Sequence, residues 1–186
     1  MAILIAILRG NNVGGKRKIP MAGLRDLFEN LKFSEVSTYI QSGNVLFKAP
    51  EAIGDSGISE KIEQAIQKEF GFEVPVILRT AEELQQAIDR NPFFGKDISE
   101  IDRLHLTFLK EPPPPENLEK IANFDFNPDK FAVSGREVFV YCSGKYSDSK
   151  LSNKFFENKL GTGATTRNWK TVLKLKERAE KQKQPK

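Results

Sequence analysis

The sequence has one cysteine, Cys142, and one histidine, His105. A disulfide within the chain is therefore excluded, and nitrogen and sulfur ligands are too few for an ordinary structural zinc site. Long hydrophobic runs are also lacking. The N-terminal MAILIAIL falls far short of the ~20 residues that span a bilayer and has no basic region before it, so a buried strand accounts for it and a cytoplasmic location is the expectation. Neither sign of charge dominates. With 29 Lys and Arg against 25 Asp and Glu, the formal charge of +4 favours anionic partners without specifying nucleic acid.

What is present begins with glycine. Residues 10–16, GNNVGGK, follow the apolar strand and match a phosphate-binding P-loop as far as Lys16. Such a loop needs Ser or Thr next, to hold magnesium, and Arg17 stands there instead. Pro20 also starts the following helix a few residues too late, and no later strand ends in an apolar run closed by Asp. ATP or GTP hydrolysis is thus disfavoured. A different anion site stays open, because Gly14 and Gly15 permit an unusual backbone path while Arg9, Lys16, Arg17 and Lys18 place cations beside it. The plainer alternative is a glycine turn flanked by solvated charges.

Periodicity predicts the order βαββαβ for the first half. Strand 2–8 leads to a helix carrying Met21, Leu24, Leu27, Phe28 and Leu31 at helical spacing. VSTYIQ and NVLFK form a hairpin about Ser42-Gly43, a second helix carries Ile58, Ile62, Ala65, Ile66 and Phe70, and a strand follows over 74–78. This is the split βαβ order of an α+β, ferredoxin-like fold. Thr80 and Glu83 form a capping box for a further helix ending near Asn91-Pro92. The second half is again α+β in character, with an alternating strand about Leu104–Leu109, a short helix after Pro112–Pro115, a hairpin about Ser134-Gly135-Arg136, and two helices. Thr165 or Thr166 is the expected N-cap of the last helix. The expected organisation is a ferredoxin-like subdomain over 1–91, a smaller α+β subdomain over 92–182, and a basic tail over 183–186.

Two further segments offer ligand-compatible groups. Tyr39, Gln41, Ser42 and Asn44 could orient a ligand through amides and hydroxyls, although a hairpin turn uses the same residues. Thr166, Arg167 and Asn168 join a helix start to a cation, whereas Trp169 shares its helical stripe with Val172 and Leu173 and is expected in the core. His105 reads as a sheet residue and Cys142 as a buried thiol. No pair of carboxylates stands out as acid and base.

LRGNNVGGKRKIPM, YIQSGNVLF, NPFFG and TTRNWKTV together resemble the bacterial family called domain of unknown function 1697, from Ala2 to about Lys174. The resemblance implies an α+β protein with ferredoxin-like subdomains. It places the family's glycine loop on Arg9, Gly10, Asn12, Gly14 and Gly15, its hairpin on Tyr39, Gln41, Ser42, Gly43 and Asn44, and its C-terminal signature on Thr166, Arg167, Asn168 and Trp169. Asn11 and Lys170 depart from the family pattern, which bears on ligand specificity more than on fold. The leading expectation is binding of a phosphorylated or other anionic small ligand, with no cofactor and no metal. A metal-independent enzyme, with Arg9, Lys16 or Arg167 stabilising developing negative charge, is one alternative. Single-stranded nucleic acid, met by a ferredoxin-like sheet or the lysine-rich C-terminus, is the other.

Overall fold

The computed structural model describes residues 2–9, 18–39, 43–50, 55–95 and 98–184. The chain divides into two compact units, one comprising Met1–Gln85 with Leu175–Lys186 and the other Gln86–Lys174.

In the first unit, β1 (Ala2–Leu8) precedes α1 (Met21–Asn30), β2 (Ser34–Tyr39), β3 (Asn44–Ala49), α2 (Asp55–Phe70) and β4 (Val76–Thr80). The sheet is antiparallel in the order β2-β3-β1-β4, which is the ferredoxin-like split βαβ topology. Period-2 alternation sends Leu4, Ala6 and Leu8 into one core with Leu24, Phe28, Ile58 and Ile62 of the helices. Phe47 anchors that core, its ring centroid 5.0 Å from Phe28 and 4.8 Å from Phe33. The alternate residues Ile3, Ile5 and Ile7 are buried too. Burial on both faces is why β1 reads as an unbroken apolar run.

The second unit repeats the plan. A 3-10 segment over Ile98–Arg103 leads into β5 (Leu104–Leu109), followed by α4 (Pro115–Ile121), β6 (Lys130–Ser134), β7 (Glu137–Tyr141), α5 (Asn153–Leu160) and β8 (Ala164–Asn168). Its antiparallel order is β6-β7-β5-β8. The registers correspond: Ile5 lies between Leu46 and Arg79, as Leu106 lies between Phe139 and Arg167. Arg79 and Arg167 are both buried, and each donates from Nη1 to the carbonyl of the residue before it, Leu78 at 2.8 Å and Thr166 at 3.0 Å. The likeness is thus structural down to single positions, although the two sequences share no visible repeat.

A helix follows each last strand, α3 (Ala81–Arg90) after β4 and α6 (Trp169–Lys183) after β8. The capping box forms as expected, with Glu83 N–H donating to Thr80 Oγ1 at 3.1 Å and Thr80 N–H to Glu83 Oε2 at 2.8 Å. The other expected cap is corrected. Thr165 and Thr166 lie inside β8, opposite Phe108 and Thr107 of β5, and Asn168 caps α6 by accepting from Thr171 N–H at 2.8 Å. Two β-branched threonines suit a pleated strand better than a helix start. Trp169 is fully buried, as its helical stripe suggested. No helix among the described residues is long and apolar enough to cross a membrane.

Cys142 is buried beside Val138, Val140 and Phe156 in the core of the second unit, and burial raises its thiol pKa. His105 is 8% exposed and stacks on Tyr146 with ring centroids 4.6 Å apart. Burial lowers its pKa from 6.5, only partly opposed by a backbone hydrogen bond at Arg103. A catalytic thiolate beside an imidazolium would need both shifts reversed.

Two outcomes follow for stability. Thr80→Ala and Asn168→Ala should each cost about 1 kcal/mol by loss of a cap, measured from urea unfolding; unchanged midpoints would show that neither side chain fastens its helix. For His105, the folded state resists protonation while the unfolded chain accepts it near its ordinary pKa. The resulting stability is present above about pH 6.5 and lost as pH falls through that value towards the lowered folded pKa. His105→Gln should flatten the stability curve between about pH 7 and 5, above the range in which most carboxylates titrate; an identical slope in both proteins would exclude the histidine as its source.

Candidate functional site

The loop end of the first sheet is built around the exit of β1. Ile7 pairs with Asn44 of β3 and Ile77 of β4. Just beyond, Leu8 N–H donates to the Gly43 carbonyl at 2.9 Å and Arg9 N–H to the Pro75 carbonyl at 3.0 Å. The start of the glycine loop is therefore fixed between the β2–β3 turn and the entry to β4. Gly43 has φ +85°, a conformation that glycine adopts without the steric cost a side chain would add.

Tyr39 stands opposite Asn44. Asn44 is fully buried and donates from Nδ2 to the Tyr39 carbonyl at 3.0 Å, so its amide is engaged in closing the hairpin. Tyr39 is half-buried, and the guanidinium carbon of Arg178 lies 4.6 Å from its ring centroid. Arg178 Nη1 also donates to the Thr38 carbonyl at 3.2 Å. Arg9, Tyr39, Asn44 and Arg178 thus occupy one end of one sheet. Gly10, Asn12, Gly14, Gly15, Lys16, Gln41 and Ser42 lie outside the described residues.

Arg178 was not among the sequence candidates. It lies in a lysine-rich helix that reads locally as a solvated face, and only the fold brings it to Tyr39 across so long a sequence separation. Its charge is ordinary for an α6 surface, so nothing in the local pattern singles it out.

The C-terminal signature belongs to the second unit. Thr166 Oγ1 donates to Asn153 Oδ1 at 2.6 Å and meets Thr107 Oγ1 at 2.7 Å. With the Thr166 proton directed to Asn153, Thr107 is the donor in the second contact. Arg167 is 9% exposed, and burial lowers its pKa to about 10, so it stays cationic at neutral pH. Asn168 is engaged as the α6 cap. Thr166 and Asn168 therefore have structural roles in the strand-to-helix junction, and Arg167 holds a buried positive charge within it.

Three clefts formed by described residues are lined by other side chains. In the first unit, one of about 800 Å³ is bordered by Arg25, Glu29, Lys48 and Lys181. In the second, one of about 490 Å³ is largely apolar, with Phe124, Phe126 and Phe131, and one of about 480 Å³ combines Arg103, Lys130 and Tyr141. Among the described residues, no group of three or more His, Cys, Asp and Glu is placed to hold a metal ion.

No protein with a curated description matches the sequence. A solved structure of the conserved bacterial protein SP0830 from Streptococcus pneumoniae matches with a TM-score of 0.76 at 23% identity, over 96% of this chain and 98% of that one. At that identity the likeness concerns the fold. Residues 1–139, well over half of the sequence, match the family described as Protein of unknown function (DUF1697), and the chain belongs to that family.

Proposed function

We propose that the protein binds a small phosphorylated or other anionic ligand at the loop end of its first sheet. The observation that carries this reading is that Arg9, the Tyr39–Asn44 pair and Arg178 lie at the same end of the first sheet. Arg178 rests on a ring and a carbonyl and has no ion pair with a described carboxylate, so its charge is available to an anion. Guanidinium groups present several N–H donors in a plane and suit phosphate or carboxylate. A backbone pinned on both sides of the β1 exit supplies the fixed base that a loop site needs.

The same reading keeps the protein in the cytoplasm, where the lone buried thiol of Cys142 stays reduced.

Pyrophosphate titrated into the full chain, followed by calorimetry, tests the proposal. Binding should be saturable and weaken with salt. Arg9→Gln and Arg178→Gln should each weaken it about 10-fold or more, since a charge-assisted hydrogen bond contributes roughly 1.5–3 kcal/mol. Unchanged affinity in both folded variants would remove this end of the sheet from ligand binding.

A further inference from the structure

The second unit carries a different feature on the side of its sheet away from α4 and α5. Val138, Val140 and Cys142 point into the core beneath those helices, so alternation turns Glu137, Phe139 and Tyr141 the other way. Tyr141 closes β7, opposite Leu104 of β5 and Lys130 of β6. Its ring is half-buried, with the Phe93 ring 6.5 Å away at an interplanar angle of 52°. Lys130 Nζ lies 6.0 Å from the Tyr141 ring centroid, and Arg103 Nη1 donates to the Tyr141 hydroxyl at 3.2 Å. These four side chains border the cleft of about 480 Å³, whose rim also includes Glu100, Asn127, Pro128 and Ser143.

We propose that this cleft binds a mononucleotide-like ligand, a planar heteroaromatic ring joined to a phosphate. Tyr141 and Phe93 supply apolar ring surface, and Arg103 and Lys130 supply the cations. One Arg103 N–H is engaged with the Tyr141 hydroxyl, which leaves further donors of the guanidinium fork for an anion. Lys130 already approaches the face of Tyr141, and its ammonium can move from that face to a phosphate while the ligand ring takes its place. Glu100 offsets part of the positive charge, leaving a cationic excess on the rim.

The occupant follows from size as well as charge. A volume of about 480 Å³ lies in the range of small-molecule sites and suits one base with its phosphate. Stacking on sheet aromatics is how ferredoxin-like sheets hold unstacked bases, but a strand of several nucleotides needs a succession of such platforms. The described rings around Tyr141 provide one. This site is separate from the loop end of the first sheet, and its residues belong wholly to the second unit.

The test uses the folded full chain with adenosine monophosphate and uridine monophosphate as probes, and with adenosine and inorganic phosphate as half-ligands. Either nucleotide should bind at least about 10-fold more tightly than both half-ligands. Tyr141→Leu and Lys130→Gln should each weaken nucleotide binding about 10-fold, whereas Tyr141→Phe, which keeps the ring, should stay within a few-fold. Should Tyr141→Leu fail to fold, the exposed charge reversal Lys130→Glu provides the same reading. Absence of nucleotide binding at millimolar concentration, or equal binding by the Lys130 variants, would overturn the proposal. So would preference for an oligonucleotide with a steep salt dependence, which would indicate a strand-binding surface instead.

Discussion

The constraint on which the rest depends is the burial of a central strand on both faces. β1 is paired along both edges, and Ile3 to Leu8 are all buried. A position in that strand has no solvent-facing alternative, so polar residues are excluded until the chain leaves the sheet at Arg9. The hydrophobic term then fixes register, because a shift of one residue would exchange the core-facing and opposite sets throughout the sheet. With register fixed, the ends of the strands are fixed too. Arg9, Gly43 and Pro75 meet because β1, β3 and β4 are held in step, and the polar groups at this end inherit their positions from an apolar core.

Much of this was legible in the sequence. The apolar run of β1 cannot alternate, since both of its faces are covered, and it announces a central strand. Helices α1 and α2 carry one-sided stripes because only one face packs, and the Thr80/Glu83 box marks a helix start by chemistry confined to four positions. Cys142 and Trp169 were also placed correctly in the core. In each of these cases the deciding interaction lies within a few residues of the pattern that reveals it.

The parts that were not legible depend on distant partners. β8 is short and polar, and its threonines pair with β5 from across the second unit, so local capping chemistry competed with a strand that only the sheet defines. The duplication is hidden for a related reason. Corresponding positions need equal geometry rather than equal residues: Leu4 in one sheet matches His105 in the other, and Phe47 matches Val140. Lys130 beside Tyr141 is likewise a product of register, and Arg178 meets Tyr39 only because α6 is brought to the end of β2. Of the candidate site, the anchors Arg9, Tyr39 and Asn44 could be named from sequence, but the second cation could not.

The duplication also explains why the two units differ in charge at matching places. Asn44 and Glu137 occupy corresponding register positions at the start of β3 and β7. Arg178 stands as far into α6 as Arg90 does into α3. In the second unit the buried Glu137 carboxylate receives Arg90 at 3.1 Å, so the helix arginine is neutralised where it reaches the hairpin. In the first unit Asn44 carries no charge and its amide is turned to the Tyr39 carbonyl, so Arg178 settles on the tyrosine ring instead. With an amide rather than an acid at this register position, Arg178 rests on Tyr39 and the Thr38 carbonyl without an ion pair to a described carboxylate. Two copies of one topology have been differentiated by the partner given to one arginine. That difference favours the loop end of the first sheet over its counterpart in the second as the place for an anion.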